Sequence, residues 1–261
     1  ERFVAKEVRP FINDWEEEGL FPRELYEKAG AAGILGIGHP EEYGGTKVDL
    51  FSKIAASEAL MRSTSGGFVA SLGSLDIGLP PIWKWGSADL KNRVVADVIQ
   101  GKKIAALAIT EPSGGSDVAN SKTFITSGTR ADYFTVAVRT GGEGYNGISL
   151  MLIERDRPGF SRGNALKKTG WWASDTAELF FEDCRVPAEN LIGPENSGFI
   201  AIMSNFEMER LSLCVMANMT SELALEESLA YVKSRQAFGR PIAKFQVIRH
   251  KLAEMATQLE A

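Results

Sequence analysis

Apolar residues recur at helical spacing in the N-terminal part of the chain. In the first such stretch the apolar positions are Phe3, Val4, Val8, Phe11, Ile12 and Trp15. A second stretch covers residues 50–61, and a third covers residues 87–100, with Ser87 as a candidate N-cap and Gly101 as a stop signal. Because apolar side chains three and four residues apart share one face of a helix, this pattern predicts a helical domain over residues 1–103.

Residues 104–193 have a different pattern, in which short runs of β-branched and aromatic residues are separated by turn residues. Strands are predicted at 104–109, 133–138, 148–153 and 178–181. Because no helical stretch of about 10–15 residues lies between them, a doubly wound sheet is disfavoured. The pattern therefore predicts a β-barrel-like domain.

The helical period returns at residue 194 and continues to the end of the chain. It predicts one long helix from near Ser197 to Tyr231, and another that starts near Ile242 and still runs at Ala261. We therefore expect a third domain over residues 194–261, a helical bundle of which this sequence holds only the first part. The predicted fold class is α+β, in the order helical, β and helical.

Composition and charge narrow the possible functions. The chain has 261 residues, which is enough for two or three packed units. Its net charge of −5 argues against non-specific nucleic-acid binding, which favours basic surfaces. Cys184, Cys214, His39 and His250 are too few and too far apart to indicate a metal site, so no metal is expected. No run of about 18 apolar residues is present, so neither a membrane span nor a membrane partner is expected.

A glycine-rich turn at residues 110–117, with the sequence TEPSGGSD, follows the first predicted strand. Its two glycines let backbone N–H groups approach a ligand closely. The hydroxyl groups of Thr110, Ser113 and Ser116 can bind a polar ring edge or a phosphate. An ordinary β-turn is the more common explanation of an isolated Gly-Gly pair, so both interpretations stay open.

The same segment, extended to LAITEPSGGSD, resembles the flavin-binding signature of the acyl-CoA dehydrogenase family, whose usual core is TEPGAGSD. Ser113 and Gly114 stand where the family has Gly and Ala. Other segments that resemble the family are PEEYGG at 40–45, FITSG at 124–128, TAELFFEDCRVPAENLIG at 176–193 and RQAFGRPIAKFQ at 235–246. They follow the family's order, and the resemblance spans almost the whole chain.

The resemblance implies FAD as the cofactor, bound between the β domain and the C-terminal helices. The residues that it places against FAD in this chain are Leu107, Ile109, Thr110, Gly115, Ser116, Phe124 and Thr126. Arg235, Phe238 and Gln246 are implied to reach the FAD of a neighbouring subunit, which implies an oligomer, typically a homotetramer. The implied reaction forms a trans-2-enoyl-CoA and passes electrons to an electron-transfer flavoprotein.

Removal of a proton α to a thioester needs a positioned base, and Glu209 is the candidate. The apolar residues that share its helix face are Ile202, Phe206, Leu213 and Met216. A carboxylate on an apolar face is unusual because an uncompensated buried charge is costly, and burial should raise its pKa. The periodicity alone also allows a surface carboxylate paired with Lys or Arg.

The resemblance bears on this choice. Most members of the family carry the base on a late C-terminal loop, whereas the long-chain and isovaleryl subfamilies carry it on this helix, immediately before an Arg. The sequence MERL at 208–211 matches the second arrangement and implies that Glu209 is the base. Ser116, Glu207 and Arg210 fall where the family contacts the acyl-CoA substrate. By analogy, the position of Glu209 favours long or branched acyl groups.

Two other functions stay open. A same-fold flavin oxidase of the acyl-CoA oxidase type would pass electrons to oxygen, and a scaffold or assembly protein could keep the fold without turnover. The expected location is the cytoplasm, or the mitochondrial matrix in a eukaryote.

Two further expectations concern the β domain. Core packing is the favoured interpretation of Trp171 and Trp172, and a wall of the flavin or acyl site is the alternative. Members of the family have a strand, a turn and a strand between the equivalents of Asn120 and Ser121. Residues are therefore expected to be missing there.

Overall fold

The N-terminal part is helical in a computed structural model that describes residues 1–112 and 121–261. Its helices are α1 (Ile12–Glu18), α2 (Glu24–Ala31), α3 (Leu50–Met61), α4 (Gly66–Leu72), α5 (Leu75–Gly78), α6 (Pro80–Trp85) and α7 (Ala88–Ile99). A π-helical turn at Val4–Val8 precedes them. The first predicted helix is interrupted at Pro10, because proline cannot donate to the helical hydrogen-bond ladder.

The predicted limits of α3 and α7 are confirmed, and local capping explains both. The Asp49 carboxylate accepts a hydrogen bond from the Ser52 N–H at 2.7 Å, before the first turn of α3. The Ser87 hydroxyl accepts one from the Leu90 N–H at 3.2 Å, before the first turn of α7. Gly101 ends α7 with a φ of +75°, a backbone conformation that favours glycine.

The central part consists of two sheets. Its strands are β1 (Ala105–Ala108), β2 (Ser121–Thr126), β3 (Tyr133–Arg139), β4 (Ile148–Glu154), β5 (Phe160–Arg162), β6 (Thr176–Phe181) and β7 (Leu191–Ile192). One sheet has the order β1-β3-β4-β7 and the other has the order β2-β6-β5. Strands β1 and β3 are parallel, with Ala105 opposite Tyr133, and the other pairs are antiparallel. The mixed α+β fold is as predicted.

Strand β2 contains a bulge that bears on the functional site. Lys122 lies opposite Leu179 of β6, while Ile125 lies opposite Ala177, so two residues of β2 face one residue of β6. Such a bulge bends a strand and re-aims its side chains. Here it turns Phe124 outward with a φ of +58°, in the left-handed region that non-glycine residues rarely adopt.

Buried polar contacts join the helical part to the β domain. The Asp132 carboxylate, 4% exposed, accepts hydrogen bonds from the Arg23 and Arg155 side chains and from the Ile104 N–H. The Thr135 hydroxyl donates to the Gly78 carbonyl of α5 at 2.7 Å. These contacts fix α5 and the start of α2 relative to the β domain, and α5 contributes Asp76 and Ile77 to the cavity described below.

The C-terminal part consists of two helices joined by a hairpin. Helix α8 runs over Gly198–Ser234, β8 (Gln236–Ala237) pairs with β9 (Arg240–Pro241), and α9 runs over Gln246–Glu260. The predicted start of α9 at Ile242 is early, because residues Ile242–Lys244 form a 3-10 turn. Among the described residues, the helices are either too short or too polar to cross a membrane.

Candidate functional site

A cavity of about 190 Å³ lies between α3, α4, α8 and the β domain. The side chains that line it are mostly apolar or small. Those that matter most for its chemistry are Leu60, Val69, Ala70, Thr126, Trp171, Glu209, Ser212, Leu213 and Met216. Lys53 and Asp76, which form an ion pair at 3.4 Å, also line it. The rest of the wall around Glu209 is largely apolar. We call this space the Glu209 cavity.

The Glu209 carboxylate is only partly exposed, and its buried Oε2 atom has no hydrogen-bond partner among the described residues. Burial raises the pKa of Glu209, and the positive charge of Arg210 offsets part of this increase. The sequence also allowed Glu209 to be a surface carboxylate paired with Lys or Arg, but a half-buried group with this unpaired oxygen does not fit that description. An unpaired carboxylate whose pKa is raised by burial can accept a proton from a bound substrate.

The neighbours predicted for Glu209 fall into two groups. Leu213 and Met216 line the Glu209 cavity, whereas Ile202 is 4% exposed in the protein core and Phe206 packs against that core. The predicted apolar face of α8 therefore exists. Its C-terminal half forms the cavity wall, and its N-terminal half attaches the helix to the rest of the protein.

The residues expected to contact a cofactor on the β domain differ in exposure, and one of them lines the cavity. Thr126 lines it, and Phe124, two residues earlier in β2, is 67% exposed. Leu107 and Ile109 are partly buried at and just after the end of β1, and Thr110 is exposed. Gly115 and Ser116 lie outside the described residues. So does most of the glycine-rich turn.

Trp171 and Trp172 are not core residues, contrary to the favoured interpretation of the sequence. They are 49% and 50% exposed, and Trp171 lines the Glu209 cavity with a φ of +57°. A Cβ atom added to Gly67 would lie 2.8 Å from the Trp171 carbonyl carbon, so the start of α4 can approach Trp171 only because it is glycine. Periodicity could not show this contact, since a lone aromatic pair in a loop has no period.

A carboxylate that the sequence did not single out supports Trp171. Glu16 in α1 accepts hydrogen bonds from the Ser65 hydroxyl and from the Ala173 N–H, the latter at 3.0 Å. Ser65 is itself the N-cap of α4, with its hydroxyl 2.9 Å from the Phe68 N–H. Glu16 therefore ties the loop that carries Trp171 to the N-terminus of α4.

A second, larger cavity of about 520 Å³ adjoins the first. Trp171, Leu213 and Met216 line both cavities. Beyond them the second cavity is lined by Met61, Thr64, Ser65, Gly66, Ala217, Thr220, Leu223 and Ala224, with Glu16 and Glu227 at its polar edge. The two cavities thus follow one face of α8 from Glu209 towards its C-terminus.

The remaining predicted residues lie elsewhere. Glu207 and Arg210 are exposed on α8, next to Glu209 in sequence but outside the lining of its cavity. Arg235, Phe238 and Gln246 are exposed around the hairpin between α8 and α9, and Phe238 is 95% exposed. At a helical rise of about 1.5 Å per residue, Arg235 lies about 40 Å along α8 from Glu209. These three residues are therefore too distant to contribute to the Glu209 cavity of the same chain.

Comparison with known proteins gives matches along the chain. Residues 1–102 match the N-terminal domain of acyl-CoA dehydrogenases, residues 118–184 match the middle domain, and residues 196–261 match the C-terminal domain. Among solved structures, a probable acyl-CoA dehydrogenase from Mycobacterium abscessus has a TM-score of 0.96 and 44% identity, covering 99% of this chain and 73% of that one. An acyl-CoA dehydrogenase from Bacillus anthracis, complexed with FAD, has a TM-score of 0.91 and 33% identity, covering 98% of this chain and 47% of that one.

Relatives of this chain occur in mitochondria and in bacteria. The mitochondrial long-chain specific acyl-CoA dehydrogenase of Sus scrofa is 40% identical over 99% of this chain, which spans 64% of that protein. An acyl-CoA dehydrogenase of Bacillus subtilis is 37% identical over 99% of this chain, which spans 73% of it. The alignment with the Sus scrofa protein extends over 277 positions, more than the 261 residues of this chain, so that relative has residues within the aligned region that this chain lacks. The expected gap between Asn120 and Ser121 stays a prediction.

Proposed function

The chain belongs to the acyl-CoA dehydrogenase family, and we propose that the whole protein is an FAD-dependent acyl-CoA dehydrogenase that forms a trans-2-enoyl-CoA. The observation that carries this proposal is the Glu209 carboxylate in the wall of a largely apolar cavity, where its buried Oε2 atom has no hydrogen-bond partner among the described residues. Thr126 and Trp171 of the β domain complete the same wall, so the proposed base and the proposed flavin surface face one space.

The side chains around the cavity fit a flavin. Phe124 and Trp171 expose aromatic rings from left-handed backbone positions, and strain of this kind is often found at ligand sites. Thr110 and Thr126 add hydroxyl groups that can bind the polar edge of a flavin ring. In this proposal Leu107, Ile109, Thr110, Phe124 and Thr126 hold the flavin of their own chain. Flavin chemistry supplies the acceptor for a hydride from the β carbon of the substrate.

Glu209 supplies the proton-accepting group. The α proton of the acyl thioester passes to the Glu209 carboxylate, while the β carbon loses a hydride and a double bond forms between the two carbons. Because the apolar wall favours the neutral acid over the carboxylate, it strengthens Glu209 as a base. It also limits the access of water to the reacting atoms.

The two adjoining cavities support a long acyl group as the substrate. From Glu209 to Ala224, α8 rises about 22 Å. The acyl chain of the substrate would pass Leu213 and Met216 and enter the second cavity, whose far wall includes Ala224. Small residues line much of this path, and the start of α4 is glycine. A long, mostly apolar cavity gains binding energy from each methylene group that it buries.

We also propose that the assembly is a homotetramer and that the electron acceptor is an electron-transfer flavoprotein. Arg235 lies about 40 Å along α8 from Glu209, and Phe238 and Gln246 follow it in the hairpin and at the start of α9, which supports a role at a neighbouring subunit's flavin. Their exposure leaves them accessible to another chain. Crosslinking through a cysteine introduced at Phe238 should join one subunit to the β domain of another.

An anaerobic titration of the full-length protein tests the proposed reaction. Palmitoyl-CoA should bleach the flavin absorption, and butyryl-CoA should do so less efficiently. Glu209→Gln should abolish bleaching while FAD stays bound, whereas Glu254→Gln, the same change at an exposed position of α9, should leave bleaching unchanged. Bleaching by the Glu209→Gln protein at the wild-type rate would contradict the assignment of Glu209 as the base. Peroxide formed in step with substrate would instead identify an acyl-CoA oxidase.

A further inference from the structure

A buried ion pair lies next to the proposed flavin surface and takes no part in the proton transfer. The Lys122 ammonium nitrogen is 2.5 Å from Oε1 of Glu111, and the two side chains are 1% and 2% exposed. The same nitrogen donates a hydrogen bond to the Ile109 carbonyl at 3.2 Å. In addition, the Thr123 N–H donates to the Thr110 carbonyl at 2.9 Å. Three contacts therefore converge on residues 109–111.

These contacts connect the two sheets of the β domain. Residues 109–111 follow β1, which belongs to one sheet, whereas Lys122 and Thr123 belong to β2 in the other. The bulge in β2 begins immediately after Lys122 and allows the ammonium group to point inward while Phe124 points outward. The ion pair thus sets the separation between Ile109 and Thr110 on one side and Phe124 on the other.

Stability alone does not explain why this pair is present. Removing an ammonium group and a carboxylate from water is costly, and well-packed apolar residues are often as stable as a buried ion pair. Burial lowers the pKa of Lys122, and its contacts with Glu111 oppose that effect. Unlike an apolar pair, an ion pair has a directional geometry. It fixes the positions of particular atoms, here the Glu111 carboxylate and the Ile109 carbonyl.

We propose that Lys122 is a positioning residue which, together with Glu111, holds the main chain at residues 109–110 in the place that a bound flavin requires. This inference rests on the proposed function, because the flavin is the group to be positioned. Lys122 itself is buried away from the Glu209 cavity lining and acts through the residues that would touch the flavin.

The test compares FAD binding with protein stability in the full-length protein. The double variant Glu111→Leu with Lys122→Met removes both charges, so its apoprotein should unfold at close to the wild-type temperature. Its FAD dissociation constant should rise at least about tenfold, because the Ile109 carbonyl loses its donor and residues 109–110 shift. The visible absorption bands of bound FAD should also move, since the contacts at the ring edge change. Lys102→Met, a change of the same kind at an exposed residue before β1 that has no ion pair among the described residues, should alter neither property.

A second double variant serves as the test if the first one fails to fold. Glu111→Gln with Lys122→Gln keeps polar groups at both positions, but the shorter side chain at 122 does not reach the Ile109 carbonyl, so FAD binding should again weaken at least about tenfold. Wild-type FAD affinity and an unchanged flavin spectrum in either folded double variant would overturn the positioning role while leaving the proposed function intact. A wild-type protein that binds no FAD overturns both.

Discussion

Two carboxylates, Glu209 and Glu111, have opposite environments: Glu209 is half-buried in the wall of a cavity, and Glu111 is fully buried in an ion pair. The buried Oε2 of Glu209 faces a cavity without a hydrogen-bond partner among the described residues, whereas Glu111 is in contact with the Lys122 ammonium group. Burial raises the pKa of Glu209, which gives this carboxylate a capacity to bind a proton. Changes of charge at the Glu111 pair should therefore alter the protein's properties most, whereas at Glu209 changes in the shape of the cavity should matter more.

The largest effect is expected from breaking the Glu111 pair. Lys122→Met removes the ammonium group 2.5 Å from the buried Glu111 carboxylate, which should lower the free energy of unfolding by about 3–5 kcal/mol. Urea unfolding of the apoprotein at pH 7 measures this difference. Lys102→Met, at an exposed position, is the control, and a loss no greater than that of the control would show that the Glu111 region is not sensitive to charge.

A change of shape at the Glu209 cavity should have the next largest effect on stability. Gly67→Ala places a Cβ atom 2.8 Å from the Trp171 carbonyl carbon, so α4 or the Trp171 loop must move. Overpacking of this kind typically costs about 1–3 kcal/mol. Thermal unfolding and tryptophan fluorescence report the change. Gly142→Ala is the matched control, because a Cβ atom there meets nothing within 4 Å.

Filling the second cavity should change the preference for acyl length. Ala217→Phe narrows the space beyond Leu213 and Met216 and leaves the Glu209 carboxylate untouched. We expect kcat/KM for palmitoyl-CoA to fall about tenfold relative to butyryl-CoA, since lost methylene contacts in an apolar pocket are worth about 1–3 kcal/mol. Equal losses for both substrates would show that the acyl chain does not follow this path.

The smallest effect concerns the charge of Glu209 itself. Because its pKa is raised on folding, the folded protein binds this proton more tightly than the unfolded chain, and the associated stability is lost as the pH rises through the raised pKa. Glu209→Gln cannot ionise, so it does not lose stability in this way as the pH rises. The variant should match or exceed wild-type stability at pH 8 and lose this advantage towards pH 4. A variant less stable than wild type at pH 8 would mean that the carboxylate has a stabilising partner.

The sequence predicted those parts of the molecule that follow from local periodicity. The apolar spacing and the Ser87 cap located α7, the alternating runs located β1, β3, β4 and β6, and the carboxylate on an apolar face identified Glu209. Strands β5 and β7 were missed because runs of three and two residues are too short to show alternation. The predicted domain boundaries at 103 and 193 stay predictions.

The contacts missed from the sequence depend on distant residues. Lys122 reads as an ordinary polar residue, and only the meeting of β1 and β2 shows that it is buried against Glu111. Likewise Glu16 and Trp171 are 155 residues apart, and the hydrogen bond from the Ala173 N–H to Glu16 joins the Trp171 loop to α1 across a separation of 157 residues. The second cavity lies between α8 and the start of α4, so no single segment indicates it. For Gly115 and Ser116, the predicted contacts remain predictions.

The bulge in β2 also constrains how this segment can change in length. Lys122 and Ile125 are separated by an odd number of positions, yet both face the buried side of β6 through Leu179 and Ala177. The bulge therefore resets the phase of the strand between them. Losing a single residue within it would leave Lys122 and Ile125 two positions apart, so simple alternation would keep both side chains on the buried face and only the outward turn of Phe124 would be lost. Losing two residues would make Lys122 and Ile125 adjacent and turn Ile125 to solvent, so this segment can shorten by one residue and not by two.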